Sequence, residues 1–572
     1  MMFPGAIRLL RDRAYTFIGH MTLICRGSLL VTVVAMSICW GQPALRSQNP
    51  VVNSASYRTP GLPGSGIAQG SIFSIFGTGL GPPAPVQADK FPLPTLLGKS
   101  FVSVTMGGTT TQAIVLFAYS TQINALLPSN TPMGAGTLTV TYDGQTSAPV
   151  AVQVTGGAFG IYTYTSTGFG QAIATFPDYR LNTIIQAFHP GDYAVLWGTG
   201  LGPIAGDDAY APPVGDLPGA VKVRVGNVTA TVHYHGRSGC CSGLDQIVIE
   251  VPPGVQGCHV PVSVEAGDAV SNVATLAISA TGQTCTDSLM GQDLVEKLAA
   301  GEKVDFGYVR LESLIAPFTG GGGARAGQDI AAATFSEYTP QTAGRAAYGV
   351  SSGYCVVIDC PNGLGCPTAG GIGMLSDSGA RQLDAGSAIA IEGQGRRLAI
   401  PGAGGYYAAL LNATTPRFLW SGFPYTVSST GGSKIGAFSA TETTGTAAVD
   451  FADISRNQGV PRSSDLTLKW TGGDASLQNG QVTIGGYSGN NDLTQWVWFQ
   501  CTAPWAAKQF TVPAWVLSML PPSGSGQSGT VTYPQGWIWI GQYSKPVTFT
   551  APGLDRALFT DSFFNGLGIY FQ

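Results

Sequence analysis

At 572 residues the chain is long enough to bury several separate cores. Only 10% of its residues are charged and the net charge is -4, with no basic stripe, which excludes nucleic acid as an expected partner. Its 80 glycines, with plentiful Ser, Thr and aromatic residues, suit an exported β protein rich in turns.

The amino terminus reads as an export signal. Arg8, Arg11, Arg13 and Arg26 precede the apolar run Leu29 to Ile38, which is short for a membrane span. Residues 1–41 are expected to be removed after Gly41, leaving Gln42 first, and Met21 offers an alternative start that still yields a complete signal. Ile38 is too large to precede a lipidated Cys39. No later stretch is apolar enough to span a membrane.

Beyond the signal one module is written twice. Gly77-Thr78-Gly79-Leu80-Gly81-Pro82 returns as Gly198-Thr199-Gly200-Leu201-Gly202-Pro203. Gln122-Ile123 with Pro128 is answered by Gln246-Ile247 with Pro252, and Ser147 by Ser271. A period of about 120 residues is too long for a solenoid unit and fits tandem domains, here 49–158 and 159–281. Alternation of period two then predicts hairpins. Phe101 to Met106 turns through Gly107-Gly108 into Thr109 onward; Leu138, Val140 and Tyr142 run into Asp143-Gly144. In the second copy Val221, Val223 and Val225 alternate with Lys222 and Arg224, Gly226-Asn227 turns the chain, and Val228, Ala230, Val232 and Tyr234 return. Short strands with turns this frequent predict an immunoglobulin-like sandwich for each copy.

Residues 282–345 read differently. Leu294, Val295 and Leu298 share one side of a short helix over Asp293 to Ala300, which Gly301 stops, and Gly320 to Gly323 read as a flexible connector or loop tip. Residues 346–572 return to strands, with Leu466, Leu468 and Trp470 alternating, then Val482 and Ile484, then Trp537 and Trp539 about Ile538. Pro513 to Leu520 fit a short helix or an irregular edge. The fold class is all-β: tandem immunoglobulin-like β-sandwiches followed by a β-rich C-terminal region of one or two domains.

Several blocks carry a resemblance. Asn53-Ser54-Ala55-Ser56-Tyr57, then Gly70 to Gly77, Pro92-Leu93-Pro94 and Gln122-Ile123-Asn124 resemble the Solibacter-type uncharacterised domain of secreted acidobacterial proteins. Gly239-Cys240-Cys241-Ser242-Gly243-Leu244-Asp245-Gln246-Ile247 and Gly257-Cys258 resemble the cysteine-bearing companion repeat. Leu466 to Gly473 and Phe510 to Pro513 look like the β-rich tail that often follows. The resemblance implies bacterial export and immunoglobulin-like modules, and it supplies no catalytic residues.

With Cys25 and Cys39 in the signal, eight cysteines remain: Cys240, Cys241, Cys258, Cys285, Cys355, Cys360, Cys366 and Cys501. An even number in an exported chain predicts disulfides, and their clustering suggests two bridges in each half. Cys240 and Cys241 are expected to bridge to Cys258 and Cys285; a vicinal bond, strained and easily reduced, is the alternative. Spacings of the zinc kind are missing, so no metal or cofactor is expected. Gly77 to Pro82 lacks the Lys-Ser/Thr ending of a phosphate loop and reads as a glycine-dense turn.

His233 and His235 share a strand face with only His259 to join them, and His189 near Asp192 has no G-x-S-x-G elbow to serve. Trp496 with Trp498, and Trp537 with Trp539, fall on common strand faces that could stack on sugars, although core packing is the leading reading. Glu337, Glu392, Glu442, Asp450 and Asp453 show no spacing that marks a glycosidase pair. The expected function is therefore an exported, non-catalytic binding or adhesion protein of the cell surface or exterior. Its partner would be a surface glycan or protein; the rival is a secreted polysaccharide-active enzyme or accessory module.

Overall fold

Strands hold 51% of the residues and helices 4%, so the chain is all-β, built from several sheets. The computed structural model describes residues 42–572 except 268, 287–288, 316–326, 344–348, 360–378, 413–416, 446–448, 474–479 and 529. The export signal, the Gly320 to Gly323 connector, and Cys360 and Cys366 lie outside the described residues.

In the first module Ser100–Met106 buries Val102, Val104 and Met106 and returns as Thr109–Tyr119, with Met106 opposite Thr109. Gly107 and Gly108 both have positive φ, which a two-residue hairpin of this kind requires. Thr109–Tyr119 then changes partners. Its first residues pair with Ser100–Met106 and its last with Gln122–Leu126, across a register shift between Val115 and Phe117. That bulge lets one strand serve both layers of the sandwich.

Val228–Arg237 does the same in the second module. It pairs first with Val221–Val225 and then with Asp245–Glu250, with a shift between Val232 and Tyr234. The other strands follow suit. Ile72–Thr78 lies beside Gln122–Leu126 as Tyr193–Thr199 lies beside Asp245–Glu250. Gly134–Tyr142 joins Ser100–Met106 to Val150–Thr155, as Gly257–Ala266 joins Val221–Val225 to Ala274–Ile278. Each sandwich closes its own apolar core. Even the matched serines agree: Ser147 Oγ accepts from Val140 N at 3.1 Å, and Ser271 Oγ accepts from Val264 N at 2.9 Å.

Buried polar groups join the two modules. Asn53 Nδ2 donates to Ala158 O at 3.0 Å and Thr199 O at 3.2 Å, while its Oδ1 accepts from the Ala55 and Ser56 amides. Deeper in, Arg237 and Asp245 form an ion pair whose side chains are both 0% exposed. Arg237 Nη2 also donates to Gly70 O at 2.9 Å, in the first module, and to Gly202 O at 2.7 Å. These bonds offset much of the desolvation that burying the pair costs.

The helix Gln292–Ala299 buries Leu294, Val295 and Leu298, and Gly301 follows it at φ +91. The rest of 282–345 differs from the expected connector. Val304–Ile315 and Gly327–Tyr338 are 12-residue strands paired along their whole length. Val304–Ile315 also runs parallel to Arg556–Phe571, so the hairpin sits in the middle of the C-terminal sheet. Its alternation is masked in the sequence because one face carries Val309 and Leu311 while the other carries Arg310 and Glu312, and both faces are buried. Beyond Arg556–Phe571 the ladder continues through Gly536–Tyr543, Gln481–Gly489, Trp496–Pro504 and Cys355–Asp359. A short helix, Ala514–Ser518, occupies the stretch after Pro513.

Removing one partner of the Arg237–Asp245 pair strands a buried charge. Arg237→Ala is expected to lower the unfolding free energy by about 3–5 kcal/mol, read from equilibrium urea denaturation. Loss within the experimental scatter would show that the pair does not hold the joint.

Candidate functional site

The tryptophans come together around one tyrosine. Gln481–Gly489 lies between the two tryptophan strands, with Tyr487 opposite both Trp498 and Trp537. Its ring centroid is 4.6 Å from Trp496, 5.4 Å from Trp498, 6.4 Å from Trp537 and 6.2 Å from Trp539. Glycine at 485 is required, because a Cβ there would fall 2.2 Å from Trp539 Cζ2. Trp498, Trp537 and Trp539 are 7%, 8% and 5% exposed, packed with Phe169 of the second module, Leu314, Ile358 and Phe564. Burial of this depth leaves those three indoles no open face for a sugar ring, whereas Trp496 stays partly exposed.

Charge is buried beside this layer. Val304–Ile315 places Arg310 and Glu312 on the same strand face as Leu314, with Arg310 Nε 3.0 Å from Glu312 Oε1. Tyr543 donates its hydroxyl to the same oxygen at 3.1 Å. Burial pushes the Glu312 carboxyl up to about 7, against the opposing pull of Arg310 and Tyr543. Burial and the neighbouring carboxylate hold the Tyr543 hydroxyl well above its ordinary value.

A second set of acids meets through Ser544. Its hydroxyl donates to Glu442 Oε1, accepts from the Asp561 amide at 2.9 Å and lies 3.0 Å from Thr560 Oγ1. Burial first, and the Asp561 charge second, push Glu442 up to about 9; burial raises Asp561 as well. Burial and the mutual repulsion of their charges both favour the neutral form of these acids.

Sequence spacing gave no sign of Asp561, which only the sheet brings to Glu442. The other acids are engaged elsewhere. Glu337 bonds Arg381 and Lys303, which hold it down at about 2. Glu392 pairs with Arg397, Asp453 accepts from the Lys469 amide, and Asp450 sits opposite Thr471 on a separate small sheet.

His233 Nε2 lies 3.6 Å from Glu250, and His235 bonds Gly219 O at 3.2 Å. His189 bonds Asp192 and Gly282 O, and His259 packs against Gly349. Among the described residues no group of three His, Cys, Asp or Glu side chains is arranged to hold a metal. An open, polar cleft of ≈ 870 Å³ lies between the second module and the helix, lined among others by Gln256, Ser279, Thr281, Thr284, Gln292 and Glu296.

The disulfides depart from expectation. Cys258 bonds Cys285, and Cys355 bonds Cys501 directly across two paired strands. Cys240 and Cys241 are bonded to each other rather than to Cys258 and Cys285. The reason is distance along a strand: Asp245–Glu250 separates the Cys240 loop from Cys258, and six residues at about 3.3 Å each put them at opposite ends of the sandwich.

No family model and no curated protein matches the chain, so the Solibacter-type resemblance rests on the quoted residues alone. Among solved structures, domains 4 and 5 of the S-layer protein SbsC align at 14% identity over 32% of this chain and 70% of that one, with a TM-score of 0.11. A longer SbsC structure, rSbsC(31-844), aligns at 12% identity over 91% of this chain and 54% of that one, at 0.18. The I9-I11 tandem from titin aligns at 7% identity over 66% and 93%, at 0.12. Overlaps this low carry no argument about function.

The raised carboxyls give stability a sign with pH. An acid whose folded-state value exceeds its ordinary one is neutral in the fold and ionised in the unfolded chain, so stability falls as pH rises between the two values. For Glu442 that window runs from its ordinary 4.5 to about 9, and for Glu312 from 4.5 to about 7. The melting temperature should therefore decline from pH 5 to pH 9, and Glu442→Gln should flatten the decline above pH 7. A wild-type Tm that holds or climbs across that range would contradict the assignment.

Proposed function

We propose that the protein works outside the cytoplasm as a rigid, non-catalytic component that binds or adheres at the cell surface. The observation that carries this reading is the buried joint: Arg237, held by Asp245, bonds Gly70 O of the first sandwich, Asn53 bonds Thr199 O of the second, and Phe169 packs the second against the aromatic layer of the C-terminal sheet. A chain whose parts are locked in this way transmits force or presents a surface without hinge motion. The disulfides fit an oxidising compartment. No helix among the described residues is long and apolar enough to cross a membrane.

The Glu442–Asp561 pair supports the non-catalytic reading, because both carboxyls are enclosed at 5% and 2% exposure. A glycosidase holds its two carboxyls on either side of an open sugar site. The proposed ligand is a surface glycan or protein, and Trp496 is the aromatic through which a sugar would stack.

Three measurements separate the readings. The signal, residues 1–41, fused to a periplasm-active reporter should export it, and the mature chain should begin at Gln42. On a glycan array Trp496→Ala should weaken binding about tenfold or more while the variant stays folded by circular dichroism; normal binding by the folded variant removes the sugar reading. Turnover on a polysaccharide panel that Glu442→Gln abolishes would replace this proposal with the enzymatic one. Independently, Cys355→Ser with Cys501→Ser should cost about 2–5 kcal/mol of stability in urea denaturation.

A further inference from the structure

Loop 238–244 joins two strands of the second module whose last and first residues, Arg237 and Asp245, form the buried ion pair from which Arg237 reaches Gly70 O of the first module. The loop itself touches that joint. Gly243 O accepts from Thr199 Oγ1 at 2.6 Å, and Thr199 Oγ1 accepts in turn from the Ile72 amide of the first module at 2.9 Å. Gly243 has φ +76 and lies so close to the first module that a Cβ would fall 2.7 Å from both Ile72 Cγ1 and Leu126 Cδ1. Two residues earlier the chain closes on itself through Cys240–Cys241. Other contacts within and around the loop are Ser238 N to Leu244 O at 2.9 Å, Leu244 N to Cys241 O at 3.2 Å, Ser238 Oγ to Cys240 Sγ at 3.4 Å and to Cys241 O at 3.5 Å, and Ser242 Oγ to Tyr210 O at 2.5 Å.

Accessibility distinguishes this bridge from the others among the described residues. Cys258, Cys285, Cys355 and Cys501 are all buried, whereas Cys240 is exposed and Cys241 half-buried. Neighbouring cysteines also have Cα atoms only 3.8 Å apart, below the usual range for a disulfide. Cys355–Cys501 is nearly as short at 4.0 Å, so burial is the deciding difference.

We propose that Cys240–Cys241 is a site of thiol–disulfide exchange whose reduction loosens the joint between the two sandwiches. A dithiol reductant supplies the electrons. One of its thiolates attacks a cysteine sulfur, forming a mixed disulfide and expelling the other cysteine as thiolate. Its second thiol then displaces the first cysteine, leaving two protein thiols and the reductant's own disulfide. Two electrons and two protons pass to the protein. Freed of its ring, the loop relaxes, and the constraint on Gly243 and on the Arg237–Asp245 pair relaxes with it.

The test uses the full mature chain under graded dithiothreitol, with alkylation and peptide mass mapping to show which cysteines open. Cys240 and Cys241 should label first, with Cys258–Cys285 and Cys355–Cys501 intact. In that state hydrogen exchange at the Gly200 and Leu201 amides, both bonded to Asp245, should rise about tenfold. Cys240→Ser with Cys241→Ser should exchange like the reduced wild type and ignore further reductant. Opening of a buried bridge first would overturn the proposal, and so would selective reduction without a change at Gly200 and Leu201. Reduction of the wild type alone decides the matter if the double variant does not fold.

Discussion

The joint between the sandwiches depends on one carboxylate. Asp245 accepts from Gly200 N at 2.7 Å, from Leu201 N at 2.8 Å and from Arg237. Gly200 and Leu201 belong to the repeated Gly-Thr-Gly-Leu-Gly-Pro block, so both copies face the same need: amides at a glycine turn that want acceptors. In the first copy Leu80, the counterpart of Leu201, donates instead to a backbone carbonyl, Ser120 O. Thr121 is the position that Asp245 occupies in the second copy. A carboxylate there caps the turn more strongly than a carbonyl, but it brings a buried charge. Arg237 neutralises that charge, and its spare donors reach Gly70 O in the neighbouring module. The carboxylate that caps this turn is thereby tied, through Arg237, to a contact between domains.

The aromatic layer joins the second module to the C-terminal sheet by different means. Here the surface is apolar, and alternation on three adjacent strands stacks Trp498, Tyr487 and Trp537 side by side. Phe169 closes over it. One junction is thus polar and geometrically exacting; the other is broad and apolar, and its large rings can contribute through area alone. Residues 42–572 accordingly cluster as one compact unit despite their separate sheets.

What the sequence disclosed follows the same division. The hairpins at Gly107-Gly108 and Gly226-Asn227 were legible because one face is wet and Gly107, Gly108 and Gly226 take positive φ. The duplication was legible from the glycine block, and the helix from Leu294, Val295 and Leu298. The Val304–Ile315 strand was hidden, since a strand buried on both faces with Arg310 and Glu312 on one of them has no polar alternation to detect. The acid pairs were hidden for another reason: Glu442, Ser544 and Asp561 meet only through sheet pairing between distant strands. The tryptophan faces were readable as faces, but no local pattern says that Phe169 will cover them.

Buried acids on both sides of the central strand pair answer a question that apolar packing leaves open. Val304–Ile315 and Arg556–Phe571 run parallel, with Leu311 opposite Asp561 and Glu312 opposite Ser562. Apolar alternation forbids a slip of one residue, which would turn every side chain to the wrong face, but it tolerates a slip of two. A two-residue slip of Arg556–Phe571 would carry Asp561 away from Ser544 and Glu442. It would also break the shared register that sets Tyr543 on Ser562 beside Glu312. Each loss leaves a polar group buried without its partner, at about 1–3 kcal/mol or more for a charged one. Apolar residues are often as stabilising at such positions in the correct register, whereas a slipped register leaves these acids without the partners they have here.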